Sequence, residues 1–142
     1  MSFQEKSLWL LFVSLIGIFG VYFASVLPAA ARNVTPGQIG LFAALVALLV
    51  VIQIVGSIVL AAAGKLSGSL AGRHDTDERD RFIGLTSTRN GSYVLVVGVC
   101  LSLCAALVTE GNFLFTHLLL AFWVLAQLVE IGSQLFQYRR GA

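Results

Sequence analysis

The chain predicts an all-α fold, a four-helix transmembrane bundle with both termini in the cytoplasm, and three observations carry that expectation. Hydrophobic residues make up 58% of the 142 and charged ones only 11%, far from the balance of a soluble domain. Four long apolar stretches are separated by short polar segments, and each is close to the roughly 20 residues that cross a bilayer. Of the nine Lys and Arg residues, Lys6, Lys65, Arg73, Arg79, Arg81, Arg89, Arg139 and Arg140 fall before the first stretch, between the second and third, or after the fourth. Arg32 alone falls elsewhere. Short loops rich in Lys and Arg stay on the cytoplasmic side, so this alternation orients the bundle N-in and C-in.

Span one is expected over residues 7–27, stopping at Pro28, which continues a helix only at a cost. Its length exceeds the core of about 7 to 15 apolar residues in a signal peptide, so it reads as a retained span although Ala29, Ala30 and Ala31 resemble a cleavage site. Trp9 at one end and Tyr22 with Phe23 at the other read as interfacial anchors. In the next loop, Thr35 is placed to cap a helix with Pro36 in its first turn, where the missing N–H costs nothing.

Span two is expected over 38–64, which as an ideal helix measures about 40 Å and must tilt or protrude from a core about 30 Å thick. Span three is expected over 92–109. A tight turn at Glu110, Gly111 and Asn112 then leads to span four over 113–136, making spans three and four an antiparallel hairpin. Small residues set how closely helices approach in lipid, which nominates Gly17 and Gly20 in span one, and Ala43, Ala47, Gly56, Ala63 and Gly64 in span two. Cys100 and Cys104 share one face of span three and make no disulfide framework.

The one concentrated polar segment, 65–91, changes character at His74. A helix is expected to start near Asp75 or Thr76, with Asp77, Glu78 and Asp80 in its first turn complementing the exposed amides. Phe82, Ile83 and Leu85 could then lie along the interface, with a bend at Asn90-Gly91 before span three. Asp77, Glu78, Arg79, Asp80, Arg81 and Arg89 form the candidate contact for a partner or a lipid headgroup. The same residues also serve simply as a solvated, positive-inside face.

The run Asp77-Glu78-Arg79-Asp80-x-x-Ile83, ahead of a Ser/Thr-Arg-x-Gly/Ser-Tyr stretch and a span, resembles a motif of small uncharacterised bacterial integral membrane proteins. The similarity covers about 25 residues. It implies about four spans, the D-E-R-(D/E)-x-x-I segment on the cytoplasmic side and a bacterial inner (cytoplasmic) membrane. It carries over no catalytic activity.

Ionisable groups within spans are functional candidates by default. Glu130 shares a face of span four with Gln127 and Gln134, and that face is expected to meet Gln53 of span two, with Arg89 or Arg79 within reach. His117 stands near the opposite end of span four, about 20 Å from Glu130 by helical rise, and reads as a packing or interfacial residue. A bis-histidine haem would need His74 on the same side, which the topology forbids. No zinc constellation, phosphate loop or nucleophile elbow occurs, so neither an enzyme nor a cofactor is expected.

The leading expectation is therefore a noncatalytic accessory or regulatory subunit. Its partners would be membrane lipids and a protein or second copy, held by the helices and the 77–89 segment. Nucleic acid is not an expected partner, since the basic residues flank spans and are partly balanced by Asp75, Asp77, Glu78 and Asp80. The alternative is a small oligomeric transporter or channel, with Glu130 and Gln127 lining the path.

Overall fold

The structure, a computed structural model, describes residues 3–29, 32–66 and 78–140. Four α-helices run α1 (Phe3–Val26), α2 (Pro36–Leu66), α3 (Glu78–Val108) and α4 (Phe113–Arg140), with a 3-10 turn at Leu27–Ala29 after α1. Each of the four is long and apolar enough to cross a membrane, so the chain is a multi-pass membrane protein. No strand occurs among the described residues.

Local chemistry accounts for the helix ends. The α-helix of α1 gives way to the 3-10 turn just before Pro28. At the start of α2, Gln38 N donates to Thr35 Oγ1 at 3.4 Å while Thr35 N donates to Gln38 Oε1 at 3.0 Å. This reciprocal capping box satisfies two amides at the helix start, with Pro36 in the first turn. Between α3 and α4 the chain reverses at Gly111, whose φ of 88° lies in the left-handed region that side chains disfavour. A Cβ there would also run into the carbonyl of Arg32.

The helices pack in a simple order among the described residues. α1 lies between α2 and α4, α3 packs along α4, and the backbone of α2 comes close to neither α3 nor α4. Leu15 and Phe19 of α1 meet Val124, Ile131 and Leu135 of α4 in the main core, with Phe42, Val46 and Leu49 of α2 against them. A second cluster joins Tyr22 and Val26 to Phe113 near the loops.

The two ends differ. At the terminal end, the Arg139 guanidinium lies 5.6 Å from the centre of the Trp9 ring, and Gln137 bonds Ser87, so the N-terminal part of α1, the N-terminal part of α3 and the last turns of α4 come together. At the loop end, Arg32 pairs with Glu110, and Val34 N donates to Asn112 Oδ1 at 2.8 Å. Asn112 N reaches Asn33 Oδ1 at 3.3 Å and Phe113 N reaches the Arg32 carbonyl at 3.3 Å, clasping the two loops.

Several expectations change. α3 runs unbroken through Asn90-Gly91, joining the expected interfacial segment and span three into one helix. Gly91 is a crossing point instead of a bend: a Cβ on it would stand 2.9 Å from the Ala126 carbonyl oxygen and 3.1 Å from Glu130 Cβ. Gly98 is tighter still, facing Phe122 with no space for a Cβ. Gly17 and Gly20, nominated as contact points, face open space, whereas Gly56 does receive the Leu10 side chain. Tyr22 is not an interfacial anchor, being only 3% exposed. The expected cap at Asp75 or Thr76 lies outside the described residues.

Candidate functional site

The half of the α3/α4 hairpin near the chain termini carries most of the polar side chains that the sequence singles out. Each is placed by the antiparallel register, in which Gly98 meets Phe122 and Gly91 meets Glu130. Close approach at these glycines lets short polar side chains reach across. Thr88 Oγ1 donates to Glu130 Oε1 at 2.8 Å, Asn90 Nδ2 donates to Ser133 Oγ at 3.3 Å, and Gln137 Nε2 donates to Ser87 Oγ at 3.1 Å. Ser87 is fully buried, so its bond to Gln137 satisfies a group that would otherwise be stranded. Serine, threonine and amide side chains bonded across helices in this way hold membrane hairpins together.

The expected meeting of Gln53 with Glu130 does not occur. Gln53 Nε2 donates to Ser14 Oγ of α1 at 2.7 Å, at the α1/α2 interface, because α2 packs on α1 and not on α4. Gln127 and Gln134 are half-buried on α4, and among the described residues neither bonds Glu130. Arg89 does not pair with Glu130 either; the neighbouring Thr88 supplies the donor.

Of the candidate contact segment, Asp77 and the side chains of Glu78 and Arg79 lie outside the described residues. Asp80 is half-buried, and Arg81 and Arg89 are exposed. Arg89 stands in a stripe with Phe82, Leu85 and Tyr93, at helical spacings of three and four, and these three hydrophobic residues are 64–67% exposed. From Arg89 to Val108 the helix rises about 28 Å, close to one hydrocarbon thickness, which leaves residues 78–88 as an extension of α3 beyond that length.

A second polar contact, not expected from the sequence, lies toward the loop end. His117 and Tyr22 are 4% and 3% exposed, with Tyr22 Oη 3.0 Å from His117 Nε2 and His117 Nδ1 2.8 Å from the Phe113 carbonyl oxygen. A carbonyl only accepts, so Nδ1 carries the hydrogen, Nε2 accepts, and Tyr22 donates. The rings lie nearly parallel, 14° apart, with centroids 5.8 Å apart. His117 is therefore a packing residue with a partner. The usable signal is positional: Tyr22 stands four residues before the end of α1 at Val26, and His117 four after the start of α4 at Phe113.

Glu130, Gln53 and His117 are each bonded to a neighbouring helix within the bundle. Donors and acceptors are spent across three different interfaces, α1/α2, α1/α4 and α3/α4, and the described residues include no cluster of three His, Cys, Asp or Glu that could hold a metal. Cys100 and Cys104 are exposed on α3 and remain free thiols. In comparisons with protein families, curated proteins and solved structures, the chain finds no match.

Proposed function

We propose that the chain is a noncatalytic accessory or regulatory subunit of a bacterial inner membrane, with its terminal end cytoplasmic, that binds a membrane partner through its helix faces and the exposed side of α3. The observation that supports this reading is the internal pairing of Glu130 and Gln53, two of the four polar residues of the candidate intramembrane face. Glu130 is engaged by Thr88 and Gln53 by Ser14, on separate interfaces, so they do not line a shared path as a transporter would need. Among the described residues, the outward faces include the flank of α2, where no residue of the span is buried, and the exposed Arg81 and Arg89 side of α3. Helix association in lipid runs on side-chain packing and polar contacts, and these faces offer both.

The test is site-specific photo-crosslinking in native membranes, with the probe placed at Val55 or Ile58 on α2 and at Leu85 or Tyr93 on α3. The reading expects a discrete adduct with one other membrane protein from at least one face, weakened when Arg81 and Arg89 are both replaced by Ala. Adducts formed only between copies of this chain, unaffected by that double replacement, would count against it.

A further inference from the structure

A groove of about 490 Å³ opens between α2 and α4 at the loop end, floored by Tyr22 of α1 and reaching Leu95 of α3 and Trp123 of α4 at its deeper end. It exists because the backbones of α2 and α4 both approach α1 closely but not each other. Its volume falls within the roughly 300 to 1,000 Å³ of ligand sites. The distribution of polarity along it is uneven. Gln38 and Thr116, in the first turns of α2 and α4, mark the mouth, whereas Phe42, Leu95 and Trp123 line the rest. From Thr116 to Trp123 the groove follows α4 for about 10 Å of helical rise.

The hydrogen-bonding groups at the mouth have a definite sense. Gln38 Oε1 is occupied by the Thr35 amide, which leaves its Nε2 hydrogens to donate. Thr116 is exposed and adds a hydroxyl donor. Tyr22, in the floor, already gives its hydrogen to His117. None of the lining residues is charged, and Arg32, two residues before the lining Val34, pairs with Glu110. An occupant thus needs acceptors at one end, no required net charge and a flexible apolar tail. Those are the properties of a glycerophospholipid, whose ester carbonyls accept and do not donate.

We propose that this groove is a lipid site, in which one acyl chain of a glycerophospholipid from the leaflet at the loop end lies along Phe42, Leu95 and Trp123 with its ester carbonyls at Gln38 and Thr116. Side chains of all four helices line the groove, so an acyl chain in it gains more close contacts than one lying against the convex outer surface. Headgroup charge does not select the lipid, since the neighbouring ion pair is internally neutral.

Trp123 provides the readout. The chain has two tryptophans, and Trp9→Phe leaves Trp123 alone at the groove. The full-length Trp9→Phe protein, purified in dodecyl maltoside, is titrated with phosphatidylcholine brominated in mid-chain, and then with the brominated phosphatidylglycerol. Thr116→Phe, which fills the mouth from an exposed position, is the comparison, and Leu95→Phe is a second groove-filling variant should the first lose its helicity. The expected result is saturable quenching, half-complete at a lipid mole fraction about tenfold lower in the open-groove protein than in the filled one, and equal for both headgroups. Native mass spectrometry should retain one phospholipid per chain in the former only. Equal half-quenching in open and filled proteins would overturn the proposal. So would a dimer in which a second copy shields Trp123 from the brominated lipid.

Discussion

Tyr22 of α1 and His117 of α4 form a buried hydrogen bond of 3.0 Å between helices 95 residues apart in sequence, and the second ring nitrogen of His117 is held by the Phe113 carbonyl. Every polar atom of the imidazole is therefore satisfied inside the bundle. The pair also links the α1/α4 core to the clasped loops, because Phe113, whose carbonyl orients His117, donates its own amide to Arg32. Loss of one partner leaves an unsatisfied polar group in an apolar environment.

Tyr22→Phe is accordingly expected to destabilise the fold by about 1 kcal/mol, between the average of ~0.6 and the maximum of ~1.7 kcal/mol for interhelical hydrogen bonds in membranes. Equilibrium unfolding in mixed micelles, with a double-mutant cycle against His117→Leu, measures the coupling. A coupling indistinguishable from zero would mean the bond contributes nothing to holding α1 on α4.

Glycine positions give a contrast in sign. Gly98→Ala pushes a methyl group into Phe122 and should cost about 1 to 3 kcal/mol, as overpacking does, with Phe122→Ala partly relieving it. Gly17 faces open space in mid-helix, so Gly17→Ala should be neutral or stabilising by up to about 1 kcal/mol. Thermal unfolding of the two variants in one detergent decides the matter, and equal shifts would contradict the α3/α4 register.

At Gly111 two costs coincide, a left-handed backbone and the adjacent Arg32 carbonyl. Gly111→Ala should lose at least ~1 to 2 kcal/mol and open the loop clasp. Hydrogen exchange should then accelerate at the Val34 and Phe113 amides, which the clasp occupies, and stay unchanged in the middle of α1. The exposed Arg32–Glu110 pair contributes little by itself, so Glu110→Gln should change stability by less than ~1 kcal/mol.

Glu130→Gln keeps a carbonyl oxygen where Thr88 donates, so stability should move by less than ~0.5 kcal/mol and partner binding should persist. Glu130→Leu removes the acceptor and should loosen the terminal half of the hairpin, seen as faster exchange over residues 86–92.

The architecture was legible in the sequence to the extent that it depends on composition and local chemistry. Four spans, the Pro28 stop, the Thr35 cap and the Glu110 to Asn112 turn follow from hydropathy, φ restriction and capping. Which faces meet was not legible. A small residue permits close approach but does not specify a partner, so Gly17 and Gly20 were nominated as contact points while the close approaches fall at Gly91 and Gly98, which were not nominated. The helix order explains Gln53: it was expected to meet the polar face of span four, yet the backbone of α2 approaches α1 and Gln53 finds Ser14. Asn90-Gly91 reads as a turn by residue type, but contact along α4 outweighs that local preference and carries the helix through.

The central claim is that this chain acts by binding a membrane partner, and one comparison tests it most directly. The tagged wild-type chain and its Arg81→Ala/Arg89→Ala form are purified side by side from native membranes in mild detergent, and retained proteins are quantified by mass spectrometry. Partner binding predicts one membrane protein at near-equal stoichiometry with the wild type and its depletion from the double variant. A homo-oligomer carrying only lipid, identical in both and showing proton-driven flux abolished by Glu130→Gln, would contradict it.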